Sequence, residues 1–262
     1  MARQRMGQHF LGDAAWRQRI FKILSPDANE TWIEIGAGHG EMTKMLAADG
    51  RRVVAIEADA PLAEDLQEKV SSLPREWPKV EIVSRDVLAV DFRKLAGGDF
   101  HVYGNLPYYI TSPILHQLFE YASQILSIHI VIQLEVAERI VAKPGRREYG
   151  YLSALCRFYA NPTIVLRIPP GAFRPPPQVQ SALVRMTLPG QRAVLNVSDD
   201  KRFLQFIQGC FEQKRKTLRN NLKQLASDGK IHQALEDCGL RPDSRAEQLT
   251  LAQFASLFAS LA

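Results

Sequence analysis

The sequence predicts an α/β fold with a mostly parallel, seven-stranded sheet, a final antiparallel hairpin and a small all-helical C-terminal domain. Strand-like and helix-like segments alternate through the first half of the chain, which is typical of parallel sheets covered by helices. From residue 199 onward, every periodic segment has helical spacing. With 262 residues, 46% of them hydrophobic, the chain is long enough for one large and one small domain.

The order of the elements follows from hydrophobic periodicity and from residues that cap helices. Asp13 can begin a helix that runs to Leu24, and Gly50 can end a helix over residues 41–49. The predicted strands are residues 31–36, 52–57, 80–83, 100–103, 128–134, 164–168 and 182–188. The other predicted helices are residues 62–73, 114–121, 151–159, 201–225, 230–238 and 246–261. We therefore place a first domain at residues 1–190 and a helical domain at 198–262.

Composition limits the classes of partner. The net charge of +5 and the pI of about 9.1 are compatible with a polyanionic partner without requiring one. Three cysteines far apart in sequence, Cys156, Cys210 and Cys238, indicate free thiols and not disulfides or a metal site. The chain has neither an apolar run of membrane-spanning length nor an apolar signal core. We expect a cytoplasmic protein with no membrane or metal partner, and nothing demands more than a monomer.

A glycine-rich turn follows the first strand of the predicted sheet, over residues 34–40 (EIGAGHG). Glycines at such a turn let the backbone approach a ligand at a helix N-terminus. A dinucleotide fingerprint would need a third glycine where Glu41 stands. The spacing through Gly36 and Gly38 is instead similar to the first motif of S-adenosylmethionine (SAM)-dependent methyltransferases. On this motif alone, a purely structural turn is an open alternative.

Two acidic residues stand where the next two predicted strands end. Glu57 ends the second strand, where an acid can accept hydrogen bonds from ribose hydroxyls. Asp86 follows the third strand, where it can receive an adenine amino group. Singly, each is equally well explained as a surface carboxylate or a turn cap. Together with the glycine turn at the same sheet edge, they predict a Rossmann-like SAM site.

The segment Asn105-Leu106-Pro107-Tyr108 follows the fourth strand and suggests chemistry on an amine. Adenine N6 is a poor nucleophile, so it needs acceptors for both of its hydrogens more than it needs a strong base. The Asn105 side-chain oxygen and the Leu106 carbonyl can be these acceptors, and Pro107 biases Leu106 towards an extended shape. Tyr108 can stack on the base. Alone the segment is also a turn, but after this strand it predicts metal-free, in-line methyl transfer to adenine N6.

The chain resembles the KsgA-type ribosomal RNA adenine N6,N6-dimethyltransferases over nearly its whole length. Besides the motifs above, the resemblance is carried by residues 5–11 (RMGQHFL), 173–182 (FRPPPQVQSA) and 211–222 (FEQKRKTLRNNL). It implies SAM-dependent dimethylation of two adjacent adenosines in a hairpin loop near the 3′ end of 16S rRNA, on a precursor of the small subunit.

The resemblance also implies roles for particular residues. His9, Leu11 and Asn105 would contact SAM, Gly36 would lie against its methionine part, and Phe173 would face Tyr108 across the target base. The chain departs from the family at His9 and at Tyr109, where many members have Asn. The change at Tyr109 is expected to alter only packing.

Basic residues crowd one predicted helical segment: Lys214, Arg215, Lys216, Arg219 and Lys223. Most charge runs are solvated helix faces, and the sequence alone does not decide against that reading. The resemblance favours contacts to RNA phosphates. Arg146, Arg147, Arg3 and Arg5 are weaker candidates.

Other functions stay open at this point. A related large-subunit (23S) rRNA adenine dimethyltransferase shares the motifs, although residues 173–182 and 216–222 look more like the small-subunit type. DNA adenine methyltransferases usually carry D-P-P-Y at the catalytic position. An assembly factor that binds RNA without catalysis would not need the intact Asn105 segment. A nicotinamide-dependent oxidoreductase would need different glycine spacing.

Overall fold

The computed structural model describes residues 9–27, 29–48, 51–71, 80–107, 109–213 and 216–261. Its strands are β1 (Phe10–Leu11), β2 (Thr31–Ile35), β3 (Arg52–Glu57), β4 (Val80–Ser84), β5 (Phe100–Asn105), β6 (Ile125–Gln133), β7 (Asn161–Ile168), β8 (Phe173–Arg174) and β9 (Ser181–Thr187). Its helices are α1 (Ala14–Leu24), α2 (Glu41–Ala47), α3 (Ala60–Ser71), α4 (Phe92–Ala96), α5 (Thr111–Phe119), α6 (Leu134–Val141), α7 (Tyr151–Tyr159), α8 (Asp200–Cys210), α9 (Leu218–Leu222), α10 (Asp228–Asp237) and α11 (Leu251–Leu261).

Seven strands form one sheet in the order β4-β3-β2-β5-β6-β9-β7. Neighbouring strands from β4 to β6 are parallel, and β9 runs antiparallel to β6 from Ser127↔Thr187 to Gln133↔Ser181. The strand order confirms the predicted fold class. The short strands β1 and β8 form a separate antiparallel pair.

The parallel register positions the functional residues. Ile35 pairs with Ile56 on one side and with Gly104 on the other, so β2, β3 and β5 end at the same level. The residues that follow these strands therefore meet at one edge of the sheet, where open α/β sheets bind ligands. This edge brings the glycine turn close to the segment after β5.

The strands are buried because their side chains are apolar on both faces. Ile33, Val54 and Val102 are fully buried, and a cluster around Trp32 and Leu183 fills the space between the sheet and its helices. Burying a side chain of this size contributes about 1.5–3 kcal/mol. The site thus stands on a rigid scaffold.

The chain divides into two compact units. The first comprises residues 1–137 and 162–188, and the second comprises 138–161 and 189–262. The domain boundary predicted from the sequence, at residue 190, places α7 in the same domain as the sheet. In the structure, α7 belongs to the same unit as the C-terminal helices. The reason is packing, since Phe158 of α7 contacts Phe203 of α8 at a ring-centroid distance of 5.3 Å.

The prediction of one continuous helix over residues 201–225 is wrong. Helix α8 ends at Cys210, and α9 begins only at Leu218. The Thr217 hydroxyl caps α9 by accepting from Asn220 N at 3.4 Å. The buried amide of Asn221 donates to the Cys210 carbonyl at 2.6 Å, which satisfies an unpaired carbonyl at the end of α8. Side-chain capping therefore breaks the helix.

None of the helices in the described part of the chain is long and apolar enough to cross a bilayer.

A buried histidine makes the stability of the sheet depend on pH. His129 on β6 is 4% exposed, and burial, with smaller effects of His101 and Arg185, lowers its pKa to about 4. In the unfolded chain the pKa is near 6.5, so the unfolded state takes up a proton first as the pH falls. The contribution to stability is therefore complete above pH 6.5 and is lost between about pH 6.5 and 4.

We expect His129→Gln to remove about 3 kcal/mol of this pH dependence, because 2.5 pKa units correspond to that free energy. The measurement is urea unfolding of both proteins at pH 7.5 and pH 4.5. His232→Gln on the exposed surface of α10 is the matched control. An equal loss of stability on acidification in His129→Gln and in the unmodified protein would contradict the assignment.

Candidate active site

A cavity of about 100 Å³ opens at the carboxyl edge of the sheet. The loops after β2, β3, β4 and β5 each contribute to its wall. Of the residues that the sequence singles out, it is lined by His9, Gly36, Glu57, Asp86, Asn105, Leu106 and Pro107. The glycine turn and the segment after β5 (residues 105–107) therefore share one cavity. Methyl transfer from a cofactor on the turn to a base at this segment requires such an arrangement.

At Gly36 the backbone of the glycine turn lies next to the segment after β5. Its φ is +72°, a conformation that favours glycine, and a Cβ at this position would lie 3.6 Å from the Asn105 carbonyl oxygen. The Gly36 N–H donates to the Ile56 carbonyl at 2.8 Å, which ties the turn to β3. A ligand on the turn is consequently in reach of groups after β5.

Glu57 is a buried carboxylate whose two oxygens are held by backbone donors. The Gly38 N–H donates to Oε2 at 2.8 Å, and the Asp59 N–H donates to Oε1 at 2.9 Å. The carboxylate is therefore fixed in position at the cavity wall, where each oxygen can accept a further hydrogen bond. This geometry fits the ribose hydroxyls of a nucleoside cofactor. Gly38 itself acts here by orienting Glu57.

Asp86 is a turn cap in the structure, and its expected contact with adenine stays a prediction. Its Oδ1 accepts from Leu88 N at 2.9 Å and so caps a short 3₁₀ turn over Val87–Ala89. The residue is also exposed at the cavity wall, between Arg85 and Val87. Its second carboxylate oxygen can accept an amino group from a purine.

The segment after β5 is held from both sides. The Leu106 N–H donates to the Val131 carbonyl at 3.1 Å, and the Ile110 N–H donates to the Pro107 carbonyl at 3.3 Å. The Asn105 amide Nδ2 donates to the His9 carbonyl at 2.8 Å, which orients the side chain and leaves Oδ1 as an acceptor. Tyr108 lies outside the described residues, so its expected stacking role stays a prediction.

The N-terminal strand β1 packs against the glycine turn. A Cβ on Gly38 would lie 2.8 Å from the Phe10 ring, and that ring contacts His39 at a centroid distance of 4.8 Å. His9 Nδ1 is 2.8 Å from the Pro175 carbonyl, next to the pairing of β1 with β8. A second cavity, of about 720 Å³, is also lined by Phe10, Gly36 and Asn105, and Leu11 belongs to its wall.

Glu34 lies in the wall of this second cavity and is 3% exposed. Burial, together with the nearby Glu57, raises its pKa to about 8, although the Thr43 hydroxyl donates to Oε2 at 2.5 Å. Near neutral pH it is therefore largely protonated.

Phe173 is buried in the structure. Leu11 pairs with Phe173 in the β1–β8 ladder, and both side chains turn into the core, where Phe173 is 0% exposed. Its side chain belongs to the core cluster around Trp32 and is not part of the wall of either cavity. Its expected place opposite Tyr108 across the target base stays a prediction. The next residue, Arg174, points outward because side chains alternate along a strand.

Sequence reasoning missed several residues of the cavity wall: Phe10, Ile35, Ile56, Ala58, Asp59, Arg85, Val87, Tyr109, Ile110 and Ile114. Most adjoin a predicted site residue in the chain, so extending each motif by one or two positions would have found them. Tyr109 differs from the others, because it was expected to alter only packing and the residue is 61% exposed.

The second unit carries the positive charge of the chain. It has 16 Lys and Arg against 10 Asp and Glu, whereas the first unit has 17 against 18, and the two balances of +6 and −1 give the net +5. Lys216 and Lys223 are exposed. Arg219 is paired with Asp228, at 3.0 Å from Nε to Oδ1, so part of its charge is neutralised. Lys214 and Arg215 lie outside the described residues.

Among the described residues, no group of three or more His, Cys, Asp or Glu side chains is arranged to hold a metal ion.

A parallel sheet whose glycine turn shares a cavity with an amide acceptor defines a class of protein, the SAM-dependent methyltransferases. The chain belongs to the ribosomal RNA adenine dimethylase family, whose family model matches residues 1–262.

Relatives and solved structures agree with this assignment. The chain is 39% identical over 257 residues to a protein of Xanthomonas campestris pv. campestris (strain B100) named ribosomal RNA small subunit methyltransferase A, covering 98% of this chain and 95% of the relative. A protein of the same name from Xanthomonas oryzae pv. oryzae (strain PXO99A) has the same identity and coverage.

Among solved structures, the 23S rRNA methyltransferase ErmE has a TM-score of 0.71 at 26% identity, covering 96% of this chain and 99% of that one. A dimethyladenosine transferase from Plasmodium falciparum has a TM-score of 0.76 at 20% identity, covering 95% and 96%, and supports the fold.

Proposed function

We propose that this protein uses SAM to dimethylate N6 of two adjacent adenosines in a hairpin loop near the 3′ end of 16S rRNA. It acts as a cytoplasmic monomer on the immature small ribosomal subunit. The observation that carries the proposal is the single cavity that joins Gly36 and Glu57 to the segment Asn105–Pro107. The small-subunit methyltransferase names of relatives at 39% identity support the choice of substrate.

The cavity residues fit the cofactor by their chemistry. Glu57 offers a fixed, buried carboxylate to ribose hydroxyls, and Asp86 offers an exposed carboxylate oxygen to the adenine amino group. Gly36 leaves room for the methionine part because it has no side chain. When bound, SAM supplies a methyl group that its sulfonium makes electrophilic.

The chain activates the acceptor by orientation and hydrogen bonding. Asn105 Oδ1 and the Leu106 carbonyl accept the two N6 hydrogens of adenine, which favours a tetrahedral nitrogen whose lone pair faces the methyl group. His9 holds the Asn105 amide in place through the 2.8 Å bond from Nδ2. Because these acceptors are fixed before the substrate arrives, they stabilise the positive charge that develops at N6 without reorganisation.

Isolated small and large subunits that lack the modification test the proposal. The enzyme is incubated with labelled SAM and each particle, and the RNA is digested for mass spectrometry of N6,N6-dimethyladenosine. We expect label and dimethyladenosine in 16S rRNA only. Label restricted to 23S rRNA would instead support the activity in the name of the ErmE structure. Binding to the small subunit without methyl transfer would support an assembly factor.

Charge reversal of the exposed lysines in the second unit tests RNA binding. We expect the double variant Lys216→Glu, Lys223→Glu to bind small subunits roughly tenfold more weakly, with a shallower salt dependence, because fewer counterions are released. The measurement is the dissociation constant at several salt concentrations. Lys94→Glu, an exposed lysine of the first unit, is the matched control. An unchanged salt slope in the double variant would contradict the assignment.

A further inference from the structure

Tyr109 is an aromatic residue in the turn after Pro107, at the mouth of the cavity. The turn that contains it is closed by the 3.3 Å hydrogen bond from Ile110 N to the Pro107 carbonyl, and the Thr111 hydroxyl donates to the same carbonyl at 3.5 Å. Helix α5 begins directly after this turn. The backbone of Tyr109 is therefore held close to Asn105, although the residue is 61% exposed.

Folding does not explain this exposure. Of the large apolar side chains that are exposed in the described ranges, Tyr109 is the only aromatic one. A ring of this size stabilises a fold chiefly when it is removed from water, so a tyrosine that is 61% exposed contributes little to the core. The same ring lines the cavity together with Asn105 and Pro107. An aromatic surface beside acceptors for a purine amine is what a nucleobase can stack on.

We propose that Tyr109 stacks on the base of the RNA nucleotide next to the reacting adenosine. The inference rests on the proposed function and adds a substrate-binding residue to it. The reacting N6 must reach Asn105, which is half-buried, and Leu106, which is 2% exposed, so the reacting base enters the cavity. A base against the exposed Tyr109 ring stays at the mouth and belongs to a neighbouring nucleotide.

The energetic reason lies in the substrate. Turning an adenosine out of its stack removes a stacking partner from the adjacent base, which costs free energy. The Tyr109 ring restores that partner on the side from which the adenosine left. Stacking on an aromatic side chain tolerates any base, so Tyr109 contributes affinity for RNA and not base identity. With Phe173 buried in the core, Tyr109 is the exposed aromatic ring of the described cavity wall.

Steady-state kinetics on isolated small subunits with labelled SAM test the inference, using Tyr109→Ala, Tyr109→Asn, Tyr109→Phe and Tyr109→Trp. We expect KM for the small subunit to rise about tenfold in Tyr109→Ala and Tyr109→Asn, because one stacked base is lost. Turnover at saturation and the dissociation constant of SAM stay within about twofold, because the reacting groups are unchanged. Tyr109→Phe and Tyr109→Trp retain a ring and keep the original KM.

Leu126→Ala is the matched control, since Leu126 is an exposed apolar residue of β6 outside the cavity wall, and its KM should not change. Thermal unfolding of each variant confirms that the fold is intact. An unchanged KM in Tyr109→Ala overturns the inference, and so does a tenfold rise in Tyr109→Phe, which would assign the effect to the hydroxyl. If the unmodified protein does not methylate small subunits at all, the proposed function itself fails.

Discussion

Replacing Asn105 by Ala is expected to slow methyl transfer by about 10²–10³-fold, because a preorganised acceptor at the reacting nitrogen is lost. In the proposed function Asn105 Oδ1 is the side-chain acceptor for N6, and the His9 carbonyl orients the Asn105 amide. Single-turnover kinetics with saturating SAM and small subunits measure the effect on the chemical step. SAM affinity should fall far less, because Glu57 and the glycine turn remain.

Two further variants sharpen the interpretation of Asn105. Asn105→Asp keeps an acceptor but loses the Nδ2–H that donates to His9, so it should retain more activity than Asn105→Ala if the acceptor matters more than the tether. Gln67→Ala removes an exposed amide from α3 and should leave the rate unchanged. Normal single-turnover rates in Asn105→Ala would refute the role of this side chain.

Replacing Glu57 by Ala is expected to weaken SAM binding by about 100-fold, since hydrogen bonds to a charged group contribute about 1.5–3 kcal/mol each. The loss has two sources. The ribose hydroxyls lose their acceptor, and the N–H groups of Gly38 and Asp59 lose the carboxylate that orders the turn. Isothermal titration with SAM measures the change directly, without RNA.

Control variants separate the loss of the ribose acceptor from the loss of order in the glycine turn. Glu57→Gln keeps the shape and one acceptor oxygen but presents an NH₂ to one of the two N–H donors, so its SAM affinity should lie between those of Glu57→Ala and the unmodified protein. Glu64→Gln, on the exposed face of α3, should bind SAM normally. Wild-type affinity in Glu57→Ala would remove Glu57 from the cofactor site.

Local sequence was sufficient wherever one strand and the residue after it set the outcome. Short apolar runs predicted all seven strands of the sheet. The helices predicted between these runs indicated that the strands are mostly parallel. Gly36, Glu57, Asp86 and Asn105 then had to meet at one edge, because parallel strands end on the same side. The family assignment also came from contiguous motifs.

Contacts between distant segments decided the rest. Helix α8 ends at Cys210 and α9 begins only at Leu218, and the Asn221 amide reaches back to the Cys210 carbonyl. Arg219 loses part of its charge to Asp228, nine residues away. No periodicity reports such pairings, since side-chain partners depend on how the elements pack.

Two aromatic residues, Phe173 and Tyr109, show most clearly which properties the sequence determines and which depend on tertiary structure. Their residue types and positions in the motifs were evident from the sequence, but the burial of their side chains was not. Phe173 is buried because β8 pairs with β1 and turns its ring inward with Leu11. Tyr109 is exposed in a turn that the hydrogen bond from Ile110 N to the Pro107 carbonyl closes. Sequence alone determined which strands form and which polar groups end them, because those depend on neighbours in the chain. Tertiary structure decided which rings face the core or the cavity, because burial depends on segments more than a hundred residues apart, as Leu11 and Phe173 are.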